Sequence, residues 1–174
     1  MDARKKLPLL SNSFDFIVCE HMIEHVDLKS ARFLLDEFSR ILRPGGVLRV
    51  ATPDLGRLVQ FVSVRDSLND DRLAYVRTMN DGMTGVPEDD LDNPVYMINR
   101  VVRDWGHSFL FDEATLTGLL HRAGFCNVVR SSPGESDHPD LVAVERHHEE
   151  IGDRMNLIET LVLEAVAPNV VVSN

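Results

Sequence analysis

The chain has 174 residues, and at about 100–200 residues per domain this is one domain, 1–174, with enough length to bury a core. Hydrophobic residues make up 44% and charged ones 26%, a composition that excludes disordered, collagenous and disulfide-scaffold classes. Eighteen Lys and Arg against 28 Asp and Glu leave a net charge of -10, which repels nucleic-acid backbones, and the basic cluster Arg4, Lys5 and Lys6 is confined to one terminus.

The longest apolar stretches, such as Leu161 to Leu163 and Val170 to Val172, fall far short of the ~18 residues a membrane span needs. After the charged start, Leu7 to Leu10 with Pro8 inside is too short for the core of a signal peptide. The expectation is a cytoplasmic protein with neither a membrane nor a nucleic acid as partner. Cys19 and Cys126 lack any ligand or redox spacing and read as two reduced, buried thiols.

In chain order, Phe14 to Cys19 (FDFIVC) follows the turn formers Ser11, Asn12 and Ser13 and reads as a strand buried on both faces. Asp27 is an N-cap, and Ala31, Leu34, Leu35, Phe38, Ile41 and Leu42 line one face of the helix behind it. Pro44, Gly45 and Gly46 end that helix, and Val47 to Thr52 is a second strand stopped by Pro53. Strand, helix, strand with such tight punctuation predicts a parallel crossover.

From 55 to 104 no strand pattern is visible; short helical pieces such as Leu73 to Met79 and Met97 to Val102 flank the acidic loop Glu88 to Asp92, as in an inserted cap. Asp112 caps a further helix with Leu116, Leu119, Leu120 and Ala123 on one face, closed by Gly124 and followed by a short strand at Asn127 to Arg130. Ser131 to Asp153, with Pro133, Gly134 and Pro139, reads as a long surface loop with one helical turn. Leu157 to Ala167 is expected as a long final strand, a preference that Asn169 to Val172 continues.

Open α/β sheets bind ligands at the carboxyl ends of their strands, and there stand Glu20, His21, Met22, Ile23, Glu24 and His25. A histidine of near-neutral pKa suits a general base, which makes His21, His25 and His107 the candidates. For His107, in Trp105-Gly106-His107, the competing reading is a loop histidine packed before the Asp112 helix. His21 to His25 also matches H-x-x-E-H, a zinc-hydrolase pattern, but that chemistry needs both histidines on one helical face, and here the pattern starts at the end of a strand. Metal is therefore not expected.

The runs LPLLSNSFDFIVCEHMIEHV, FSRILRPGGVLRVATPDL and GHSFLFDEATLTGLLHRAGF resemble the second half of a class I S-adenosylmethionine-dependent methyltransferase. They are similar in particular to bacterial members whose fourth strand ends in an xHxxEH loop and whose fifth ends in PDL, and GESDHPDL at 134 to 141 fits the tails of that group. The resemblance implies a partial Rossmann-like α/β sheet, strands four to seven with the last antiparallel, helices on both faces and an inserted helical cap at 55–104. It places Glu20, His21 and Met22 beside the methionine and sulfonium end of S-adenosylmethionine, and Pro53 and Asp54 toward a small-molecule or glycan acceptor, with a hydroxyl as the group methylated.

The family's glycine-rich turn after strand one and its ribose-binding acid after strand two have no counterpart here, since no G-x-G occurs in the chain and it begins just before strand four. The expectation is either an enzyme whose longer form is active or an inactive module that acts as a dimer or as the partner of a complete methyltransferase. With strands one to three missing, Phe14 to Cys19 becomes an apolar edge, and a homodimer through that strand is expected.

Overall fold

A computed structural model describes residues 4–169. β1 (Phe14–Glu20) runs parallel to β2 (Leu42–Pro53), in register from Phe16 with Val47 to Glu20 with Ala51. Between them α1 (Leu28–Ile41) starts where the Asp27 carboxylate accepts from the Ser30 backbone N–H, and it buries Ala31, Leu34, Leu35, Phe38 and Ile41. The chain becomes extended at Leu42, two residues before Pro44. Gly45 then takes a left-handed φ of 77°, and a Cβ on Gly46 would stand 2.9 Å from the Asp15 carbonyl, so β1 and the turn meet at a place only glycine fits.

After Pro53 come α2 (Leu55–Ser63), α3 (Asp70–Asp81) and α4 (Pro94–Arg103), the helical segment expected between 55 and 104. It has its own small core of Leu58, Phe61, Tyr75, Val76, Met97 and Val101. α5 (Glu113–Arg122), capped by Asp112 through the Thr115 backbone N–H, precedes β3 (Cys126–Ser131). The segment from 132 to 147 carries a single 3-10 turn, and α6 (His148–Ile151) and α7 (Asp153–Glu159) lead into β4 (Thr160–Val166).

The sheet order is β1-β2-β4-β3, with β4 antiparallel to both of its neighbours. The final strand is shorter than expected: 157 to 159 are helical. The ladder explains this, because β2 offers its last partner where Pro53 meets Thr160, and beyond that point the backbone must satisfy its own hydrogen bonds. Val170 to Val172 lie outside the described residues.

α1 and α5 pack on one face, where Leu48, Val50, Leu161, Leu163 and Ala165 meet their apolar sides. On the other face Arg49 and Glu164 pair across β2 and β4, and the 132–147 segment covers them. Cys19 is buried as expected, but Cys126 is exposed, at the start of the outer strand, where its Sγ reaches the Val166 carbonyl at 3.5 Å. Burial, with the Glu24 charge adding to it, pushes the Cys19 thiol up to about 12. No helix among the described residues is long and apolar enough to cross a membrane.

Candidate functional site

A cavity of about 620 Å³ opens beyond the carboxyl ends of β1 and β2. One wall is the turn after β1, with Glu20, His21, Glu24 and His25. A second comes from the helical segment and its exit, with Met79, Val101, Trp105 and His107, and a third from His147 and Glu159 around α6 and α7.

Of the residues singled out in the sequence, Glu20, His21, His25, Pro53 and His107 meet at this cavity. Glu20 Oε1 accepts the backbone N–H groups of Arg146 and His147, each at 2.7 Å, so its carboxylate ties the segment before α6 across the cavity mouth. Met22 faces elsewhere, into an apolar groove beside β1 shared with Phe16, Ile17 and Leu34. Asp54 is buried and serves structure: it caps α2 through the Arg57 backbone N–H at 3.0 Å and pairs with Arg130 at 2.7 Å. Of the Pro53 and Asp54 turn, therefore, only Pro53 lines the cavity.

Ile23 to His25 form a three-residue 3-10 turn, so His21 and His25 do not share the helical face that the H-x-x-E-H pattern requires. They look in different directions. His25 packs against His107, ring centroids 4.9 Å apart, while the His21 ring stacks on His147 at 3.7 Å. The backbone N–H groups of Ser108 and Phe109 both donate to the Glu24 carbonyl, which fastens the His107 loop to the turn. His107 Nδ1 bonds the Val101 carbonyl; because a carbonyl only accepts, Nδ1 carries a proton in this contact.

Glu24 is fully buried, with one oxygen accepting from the Thr52 hydroxyl at 3.0 Å and the other 3.3 Å from His21 Nδ1. Burial pulls its carboxyl upward, and His21 with Thr52 outweighs that and holds it below the usual range.

Sequence reasoning missed His147, Glu159 and Tyr75. His147 Nε2 stands 2.8 Å from Glu159 Oε1, and the Tyr75 hydroxyl donates to Glu159 Oε2 at 2.5 Å. Burial works to lower the His147 pKa, but Glu159 prevails and raises it; Tyr75 is raised well above its ordinary value by burial and by the Glu159 charge. No local signal marks these three, which come from the helical segment, the loop before α6 and the end of α7.

The family model described as a methyltransferase domain matches residues 1–50. No curated protein matches the chain. Among solved structures, a possible exported protein from Bordetella parapertussis superposes with a TM-score of 0.54 at 16% identity, over 97% of this chain and 43% of its own. A candidate methyltransferase of Haloferax volcanii, solved in complex with the Trm112 methyltransferase activator, gives 0.51 at 18% identity, over 97% and 60%. The S-adenosylmethionine-dependent methyltransferase SibL in its apo form gives 0.50 at 18%, over 97% and 34%. The chain thus spans about half the length of the first two.

Proposed function

We propose that this chain, whose fold is that of the class I methyltransferase domain, takes part in S-adenosylmethionine-dependent methyl transfer to a hydroxyl of a small molecule or glycan held in the 620 Å³ cavity. One observation carries the reading: the order β1-β2-β4-β3, with a single antiparallel strand set between β2 and β3, opens a cavity lined by histidines and carboxylates at the carboxyl ends of its parallel pair.

The residues present suit one end of the cofactor. Glu20 brings a carboxylate to the wall, which favours a sulfonium cation, with His21 beside it, and this chain contributes no counterpart of the glycine-rich turn or the ribose acid. When bound, S-adenosylmethionine supplies an already activated methyl group, so the protein's part is to hold the acceptor and take its proton. His107 is placed for the proton: Nδ1–H is anchored on Val101, so Nε2 is the nitrogen that would take it, and His25 stands beside the ring. Residues 55–104 act as a cap over the acceptor, because Met79 and Val101 from α3 and α4 form the cavity's apolar wall. The setting we infer is cytoplasmic.

Amide NMR of the chain titrated with S-adenosylmethionine tests this. Shifts at Glu20, His21 and Pro53 with weak, millimolar-range affinity are expected, since most of a ligand's surface must be enclosed for tight binding. Saturation at low micromolar concentration, or shifts only at distant residues, overturns the placement. With a hydroxyl acceptor and labelled cofactor, His107→Gln is expected to lower transfer about 10²–10⁴-fold.

A second reading, a non-catalytic module that dimerises, is favoured by the edge. Among the described residues β1 is paired on one side only, and Phe14 and Val18 are exposed along it. In the segment before it, Leu7 and Leu9 are held on α1 by Glu37 and Arg40. Two copies of β1 pairing about a two-fold axis would bury both edges. Sedimentation equilibrium of the wild type and Ile17→Lys decides; equal monomers at tens of micromolar overturn the dimer.

A further inference from the structure

We propose that His21, His147 and Glu159 form a binding site for one divalent transition-metal cation, with an open coordination position toward the cavity. Their ligand atoms lie within 4.8 Å of one another although the residues come from the end of β1, the loop before α6 and the end of α7. The site does not depend on the methyltransferase reading.

Two of the three ligands, His21 and Glu159, are held from behind in the way metal ligands are held. His21 points Nδ1 at Glu24 Oε1, 3.3 Å away, which turns Nε2 toward Thr160 and the cluster. Glu24 is itself fixed by Thr52 and is fully buried, and Oε1 has no hydrogen-bond partner of good geometry. A buried carboxylate oxygen left in that state gains from a positive charge carried on the imidazole in front of it, and a cation on Nε2 supplies this. Glu159 has Oε2 occupied by the Tyr75 hydroxyl and Oε1 directed at His147 Nε2.

The two imidazoles stack at 3.7 Å with 28° between their planes, an arrangement that two imidazolium ions would not tolerate. A shared cation is compatible with it. The backbone at His21 is left-handed, with φ 40°, a conformation that non-glycine residues adopt where the surroundings over-determine them. At metal–ligand bonds of about 2.0–2.2 Å, tetrahedral ligand atoms sit about 3.3–3.5 Å apart, so the 2.8 Å pair at His147 and Glu159 needs to open by only about half an ångström. Two imidazoles and one carboxylate suit zinc, iron(II), cobalt(II) or manganese(II) better than calcium or magnesium, and three protein ligands leave one position for water or an oxygen of a cavity ligand.

Glu24, His25 and His107 also bring ligand atoms within 4.8 Å of one another, but there His25 is exposed and Glu24 is shared with Thr52 and His21. The experiment separates the two. Tag-free, chelator-treated protein is titrated with ZnCl2 in a calorimeter, and with CoCl2 while following visible absorption. One equivalent and a four-coordinate cobalt spectrum are expected. His147→Gln and Glu159→Gln should each weaken binding at least about 100-fold, and Tyr75→Phe, which touches no metal, about 10-fold. His148→Ala and His25→Ala should leave it unchanged.

For variants that fold poorly, the wild type suffices: contact-shifted ring protons in the cobalt form should belong to His21 and His147. No stoichiometric binding, contact shifts at His25 and His107, or affinity insensitive to His147→Gln would each overturn the site.

Discussion

Two buried ionic clusters flank the β2–β4 pair, and they follow opposite plans. Around Arg49 all three nitrogens are engaged: Nε meets Glu145 at 2.5 Å, Nη1 meets Glu164 at 2.5 Å and the Glu135 carbonyl at 2.9 Å, and Nη2 meets the Ser132 carbonyl at 3.1 Å. The Arg49 side chain is fully buried, and the nearby 520 Å³ cavity is lined by its partners Ser132 and Glu135 and not by Arg49. Around His21 the burial is as deep at Glu24, yet one carboxylate oxygen has no hydrogen bond and the group borders the 620 Å³ cavity. A closed cluster fastens a loop to a sheet; an open one keeps ligand capacity in reserve.

The comparison predicts unequal costs for similar losses. Arg49→Met leaves Glu145 and Glu164 buried without a cation and is expected to cost about 3–5 kcal/mol in urea unfolding, with substantial rescue when both glutamates become leucine. A cost under about 1 kcal/mol would mean that water reaches the carboxylates and the closed plan is wrong. At the open cluster, Tyr75→Phe removes one hydrogen bond to a charged acceptor and should cost about 1–3 kcal/mol. Glu24→Gln replaces a half-satisfied charge and should stay within about 1 kcal/mol of the wild type; a loss as large as that of Arg49→Met would show that both clusters serve structure alone.

Hydrogen exchange sharpens the contrast at the level of whole segments. If the cap opens over the cavity, amides from 65 to 100 should exchange faster than those of β1 from 14 to 19. Equal protection would make 55–104 a packed structural element.

The smallest effect concerns a third carboxylate, Glu37, held below its ordinary value of 4.5 chiefly by the Arg40 hydrogen bond against the upward pull of burial, with help from the Leu7 backbone N–H. A carboxyl lowered in the folded state contributes stability that is present above 4.5 and is lost as pH falls through its lower folded value. Acid below about 4.5 should therefore release Leu7 from α1, visible in its amide shift, while β1 stays intact. Release already at neutral pH would remove Glu37 as the anchor.

β1, α1, β2, the Asp27 and Asp112 caps and the helical character of 55–104 were legible in the sequence, because each is written within a turn or two of chain: an apolar period, a capping carboxylate, a proline, a glycine pair. That Glu20, His21 and His25 stand at the carboxyl end of β1 was legible for the same reason, since they follow directly on the strand. Where the local pattern carried two meanings, it misled: Leu157 to Glu159 has strand-like residues and is helical, for want of a ladder partner beyond Pro53.

The second half of the cavity was decided only by tertiary structure. Glu20 captures the backbone of His147 across 127 positions, and Tyr75 reaches Glu159 across 84. No window of sequence contains both partners of either pair. Burial of Arg49 seats the 132–147 segment on the sheet, that seating carries His147 over the end of β1, and there its ring meets His21. Local chemistry selected the strands and helices; only the packing of the sheet and the loop over it selected which imidazoles and carboxylates became neighbours.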